Sequence, residues 1–126
     1  MDVLISEDDD YKYEKIEKAI RKSLPNCTIQ RATCIRDTIE YLHSNNVDVL
    51  IQDMNLPVWK NDNIRYAGGI DVVYTVGIED IPIKFRFVCS SDESFKDDFG
   101  EDLDGFGFKF VHFEASKCLD NSFKFN

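Results

Sequence analysis

Positive charge is scarce in this chain: 15 Lys and Arg stand against 24 Asp and Glu, a net charge of −9. Nucleic acids are held by clustered basic side chains, and anionic membrane surfaces by the same means, so neither is expected as a partner. No run approaches the ~20 apolar residues that span a bilayer. The opening "MDVLISEDDD" has no basic segment and only a short apolar run, so no signal peptide is expected. No glycine-rich loop follows the first apolar run, which speaks against a nucleotide or flavin. The four cysteines (Cys27, Cys34, Cys89 and Cys118) contain no C-x-x-C pair and no metal-ligand spacing. Reduced thiols in a soluble, cytoplasmic protein are the expectation.

What is present is material for a core. Hydrophobic residues make up 43% of 126, enough for one globular domain over residues 1–126. Short apolar runs alternate with helical periodicity. "VLIS" (3–6) predicts a buried strand, and Tyr13, Ile16, Ala19, Ile20 and Leu24 predict one face of a helix from about Asp9 to Ser23. Asp9 and Asp10 suit its first turn, and Pro25 follows its end. "CTIQRAT" (27–33) is a weaker strand; Ile35, Thr38, Ile39 and Leu42 mark a second helix. "VDVLIQ" (47–52) predicts the third strand, Gly69 to Val76 a third helix, and "IPIKFRFVCS" (81–90) the fourth strand. A short helix is expected from Glu93 to Phe99, then a fifth strand in "GFGFKFVHF" (105–113). This alternation predicts an α/β fold: a doubly wound five-stranded parallel sheet with right-handed crossovers. Two features fit poorly. Lys84 and Arg86 interrupt a strand that should be apolar throughout, and the tail "EASKCLDNSFKFN" promises no full closing helix.

Such sheets bind ligands beyond the carboxyl ends of their strands. The first strand ends in Ser6-Glu7-Asp8-Asp9, and "VDVLIQDMNLP" (47–57) stops at Asp53. The fourth strand ends in Ser90-Ser91-Asp92, and the fifth reaches Lys109 or His112, depending on register. Carboxylates converging on one rim repel each other, and an oxygen-only set suits Mg²⁺. A carboxylate beside that ion can attack phosphorus, while a neighbouring hydroxyl and a cation steady the transferred group.

"VLISEDD", "DVLIQDMNLP", "GGIDVV" and "FVCSS" together resemble the receiver domain of bacterial response regulators, over about residues 1–113. The resemblance implies a flavodoxin-like fold with strand order 2-1-3-4-5. It implies Mg²⁺ held by Glu7, Asp8, Asp53 and the Asn55 backbone carbonyl, with Asp53 as phosphoacceptor and Ser90 as the switch hydroxyl. The receiver pattern also carries a lysine near the end of strand five. Counting from Ser90 reaches His112; shifting by three residues reaches Lys109 and puts Phe106 at the aromatic switch position, but needs a shortened fourth helix. The loop "VWKNDNIRYAGG" (58–69) is longer than receivers usually have, and the last helix looks shortened or missing. Six phenylalanines (106, 108, 110, 113, 123 and 125) crowd that end. Trp59, Phe110 and Phe113 are candidate partner contacts, and an exposed phenylalanine patch would mark a docking or homodimer surface.

The expected function is a stand-alone receiver-like signalling domain of two-component (phosphorelay) type. It would act through protein–protein interaction and be atypical, with weak or no phosphorylation. The alternative is a fully functional Mg²⁺-dependent phosphoacceptor, charged at Asp53 by a histidine kinase and switching a partner protein. An enzyme is not expected, because Asp53-Met54-Asn55 lacks the second aspartate that phosphohydrolases use as general acid. "DDFGEDLDG" does not supply the ligand pattern of a calcium loop.

Overall fold

The computed structural model describes residues 1–126. The apolar runs form β1 (Asp2–Ser6), β2 (Thr28–Ala32), β3 (Val49–Gln52), β6 (Phe85–Ser90) and β7 (Phe108–His112). They make one parallel sheet in the order β2-β1-β3-β6-β7, the flavodoxin-like receiver arrangement that was expected. Between them lie α1 (Asp10–Ser23), α2 (Ile35–Ser44), α3 (Ile70–Ile78) and α4 (Ser94–Gly105). No helix is long and apolar enough to cross a membrane.

Strand alternation divides the core in two. Leu4, Leu50, Val88 and Phe108 meet α2, α3 and α4 on one side of the sheet. Val3, Ile5, Val49, Ile51, Phe87, Cys89 and Val111 meet α1 and the tail on the other. No helix follows β7. The tail instead folds back, with Leu119 and Phe123 buried, and Phe123 and Phe125 pack edge-on against Phe87 at 5.2 and 5.7 Å between ring centres. Helix α1 holds it there: Lys15 Nζ donates to the carbonyls of Ala115 and Lys117, each at 2.7 Å.

That arrangement corrects the expected phenylalanine patch. Phe108, Phe113 and Phe123 are buried, and Phe106, Phe110 and Phe125 are half-buried. Phe113, Phe123 and Phe125 fill the side where a closing helix is missing, while Phe106, Phe108 and Phe110 pack on the side of α3 and α4, so the six rings do not form one exposed patch.

Three local differences from the expected elements have physical causes. Residues 81–84 stay outside β6, and Arg86 is tolerated because its guanidinium donates to the carbonyls of Ile81, Ile83 and Phe106 at 2.8–3.1 Å. Helix α4 runs twelve residues, through Gly100, instead of stopping near Phe99. The long loop folds into a two-stranded antiparallel ribbon, β4 (Leu56–Pro57) with β5 (Ile64–Arg65). Gly69, where α3 begins, is demanded by packing: a Cβ there would lie 2.0 Å from the Asp53 carbonyl oxygen.

Candidate acidic site at the sheet edge

β1 and β3 are neighbours in register, with Ser6 opposite Gln52. The residues that follow each strand therefore emerge side by side, and Glu7, Asp8 and Asp53 bring their ligand oxygens within 4.8 Å of one another. Glu7 and Asp53 are buried and Asp8 is half-buried. Asp9 caps α1, accepting from the Lys12 amide at 2.9 Å, and its own amide donates to Glu7 Oε2 at 3.1 Å.

The cluster contains a residue that the sequence reading passed over. Lys12, in the first turn of α1 and only 8% exposed, sends its ammonium into the acid group. Nζ donates to Asp53 Oδ1 at 2.9 Å and to the Cys89 carbonyl at 2.7 Å. It also lies 2.7 Å from Glu7 Oε1. The Glu7 contact is an ion pair without good hydrogen-bond directionality, since Oε1 otherwise lacks a hydrogen-bond partner. The Phe113 ring flanks the ammonium at 5.7 Å. A signal for Lys12 was available: stepping back four residues from Ile16 and eight from Ile20 lands on position 12, the same helix face.

Burial and these charges set the protonation behaviour. Burial, reinforced by Asp53, raises the Glu7 carboxyl to about 8, with Lys12 opposing but not cancelling the shift. Asp8 is raised for the same two reasons. Burial works against the charge on Lys12, but Asp53 and Glu7 outweigh it and hold the ammonium protonated well above its ordinary range. The neighbouring Cys89 thiol is pushed up to about 12, chiefly by burial. Both side-chain hydrogen bonds of Asp53 fall on Oδ1, from Lys12 and from the Met54 amide.

Ser90 ends β6, buried, with its Oγ accepting from the Asp92 amide at 3.1 Å. The pairing of β6 with β7 sets Ser90 opposite His112, while Lys109 lies opposite Phe87. With α4 at full length, the three-residue shift has no room. Lys109 is exposed and mid-strand, so the terminal position of β7 belongs to His112. Its ring faces two carboxylates, Nδ1 lying 3.3 Å from Glu114 and 3.7 Å from Glu93. Asn55 is tied into the loop, its side-chain oxygen accepting from the Ala67 amide.

Beside the site, the ribbon carries Trp59, Ile64 and Tyr66, at 58%, 61% and 64% exposure. Trp59 stacks under the Arg36 guanidinium at 4.9 Å. Tyr66 reaches across to α4, its ring 5.1 Å from Phe95 and its hydroxyl 3.4 Å from Asp92.

No family profile matches the sequence, and no curated protein sequence matches it significantly. Solved structures do. A signal receiver domain from Vibrio parahaemolyticus aligns with a TM-score of 0.65 at 19% identity, over 90% of this chain and 80% of its own. The chemotaxis response regulator CheY4 of Vibrio cholerae aligns at 0.63 and 16%, over 90% and 88%. A two-component response regulator from Legionella pneumophila aligns at 0.64 and 17%, over 95% and 88%. At these identities the likeness is one of fold: this chain has the fold of the response-regulator receiver domains.

Proposed function

We propose that this chain is a receiver-like signalling domain of two-component type that acts by binding another protein, with weak or no phosphorylation at Asp53. The receiver fold and the three carboxylates at its sheet edge support the class. The observation that carries the atypical reading is Lys12: an ammonium bonded to Asp53 Oδ1 stands inside the acid cluster, and β7 ends in His112 where a permanent cation was expected. The exposed Trp59, Ile64 and Tyr66 on the ribbon offer the partner contact in place of the half-buried Phe110 and the buried Phe113.

The donor set itself suits Mg²⁺, being hard carboxylate oxygens close together, with Glu7 Oε1 under-bonded. Glu7, Asp8, Asp53 and the Asn55 carbonyl would hold the ion, which would supply charge neutralisation for an incoming phosphoryl group. The rest falls to the protein: Asp53 offers Oδ2 as nucleophile, since its hydrogen bonds are on Oδ1, and Ser90 Oγ stands at the end of β6. Those features favour the second reading, a working phosphoacceptor charged by a histidine kinase. In both readings we take the chain as a signalling domain and not an enzyme, because Asp53-Met54-Asn55 lacks the second aspartate that aspartate-nucleophile phosphatases use as general acid. The charge of −9 favours a protein over a nucleic acid as the partner.

Incubation with acetyl phosphate and MgCl2, followed by intact mass and Trp59 fluorescence, separates the readings. The atypical one predicts no stable adduct and no fluorescence change. A stoichiometric adduct that vanishes in Asp53→Asn would replace it with the phosphoacceptor.

A further inference from the structure

We propose that Lys12 is the resident cation of the acidic pocket, a tethered ammonium that does the neutralising work of a divalent ion and must leave before such an ion can enter. The inference rests on reading Glu7, Asp8 and Asp53 as a receiver-type acidic site, and it concerns what the chain's own residue does there.

Lys12 is not a surface lysine leaning on an acid. Its backbone stands in the first turn of α1, fixed by the Asp9 cap, so its Cβ is aimed at the cluster before the side chain chooses a rotamer. Three oxygens stand within 2.9 Å of the ammonium: Asp53 Oδ1 and the Cys89 carbonyl, to which it donates, and Glu7 Oε1, which it meets as an ion pair. Each comes from a different strand end, β3, β6 and β1, so the one nitrogen ties together the three central strands of the sheet. An ammonium this buried is retained only when polar partners and opposite charge surround it, and here two hydrogen bonds and the Glu7 contact do so.

Occupancy is the second point. Glu7 and Asp53 are two of the three carboxylates available to a metal, and the ammonium already stands 2.7 and 2.9 Å from them. A divalent ion sharing those oxygens would sit at close range to a positive charge in a buried site, where screening is weak. The two cations exclude one another. Lys12 holds one advantage, being covalently attached and therefore present at a high effective concentration. It has one deficit: it contacts two of the three acidic side chains and leaves Asp8 unbonded.

The test uses MgCl2 alone as the probe, read by calorimetric titration and thermal melts. Wild type is expected to bind Mg²⁺ weakly, with no rise in melting temperature at millimolar MgCl2. Lys12→Met is expected to melt lower without the ion, to bind Mg²⁺ at least tenfold more tightly than wild type, and to recover stability as MgCl2 is added. Lys12→Gln, which keeps a donor for Asp53 and the Cys89 carbonyl, should show the same gain. Equal Mg²⁺ affinity in wild type and both variants would overturn the proposal. Should neither variant fold under any condition, NMR of ¹⁵N-lysine-labelled wild type decides. A protected Lys12 ammonium signal unchanged by millimolar MgCl2 supports the proposal; its absence, or its loss at micromolar MgCl2, overturns it. Wild type that forms an Asp53 adduct while Lys12 stays bound refutes only the silent-pocket function. Wild type that binds Mg²⁺ tightly yet forms no adduct refutes only the role given to Lys12.

Discussion

The two faces of the sheet are covered by different means. One is sealed by three regular helices, the other by α1 and a strap of irregular chain. The helical face needs little beyond apolar contact, for α2, α3 and α4 satisfy their own backbone groups. The strap closes only isolated turns of its own, and other carbonyls are met from outside: Lys15 takes two, and the Tyr11 hydroxyl donates to that of Ala115 as well. A missing helix can thus be replaced if large rings fill the volume and a neighbouring helix supplies donors.

The largest effect that would break this comparison is in the strap. Phe123→Ala should lower the unfolding free energy by about 3–5 kcal/mol, as deleting a buried ring does, and Phe95→Ala on the helical face should match it. Urea denaturation of both variants checks this. A loss below about 1 kcal/mol for Phe123 alone would mean the strap only rests on the surface.

The acidic pocket sharpens the comparison through pH. Glu7 has a folded value of about 8 against an ordinary 4.5, so the folded state binds its proton more tightly. Stability from that proton is fully present below about 4.5 and is lost as pH rises through about 8. Wild type should therefore weaken by a few kcal/mol across that window, measured by denaturant midpoints at successive pH values. Glu7→Gln should flatten the curve. Lys12 acts with the opposite partner and the same sign: its raised value contributes stability that persists through neutral pH and fades only on the alkaline side of its ordinary 10.5.

Thiol labelling compares the faces without substitution. Cys118 in the strap is exposed and should react with a disulfide reagent at once; Cys34 and Cys89 are buried and should wait for unfolding. Fast labelling of Cys89 would show that the α1 side opens. The smallest effect is expected at Lys22–Asp120, a surface pair between α1 and the strap. Asp120→Asn should cost less than about 1 kcal/mol, because the buried rings and the Lys15 and Tyr11 hydrogen bonds hold the strap without this pair.

Much of the architecture was legible because period and length agreed. β1 and β3 are apolar runs of strand length, α1 sets its apolar residues at helical spacing, and Asp53 stands where the third run stops. The misreadings have separate causes. The helix expected from Glu93 to Phe99 continues to Gly105, where Leu103 adds a second buried apolar residue to Phe95. The ribbon of β4 and β5 was read as loop, since two residues per strand leave no periodicity to detect. The phenylalanine patch was expected because local sequence does not reveal that the tail turns back onto Phe87. Lys12 was overlooked because a lysine among helical charges reads as solvated; only its place on the buried face, four residues before Ile16, distinguishes it.

The three-point grip on Lys12 has a mechanical consequence. A long flexible side chain pinned at its tip becomes a strut, fixing how far α1 can slide or roll over β1, β3 and β6. The same helix carries Lys15 and Tyr11, the anchors of the strap. Whatever unseats the strut therefore loosens the clasp on residues 115–117, and cleavage of the tail by a protease would register, at a distance, the charge held at the sheet edge.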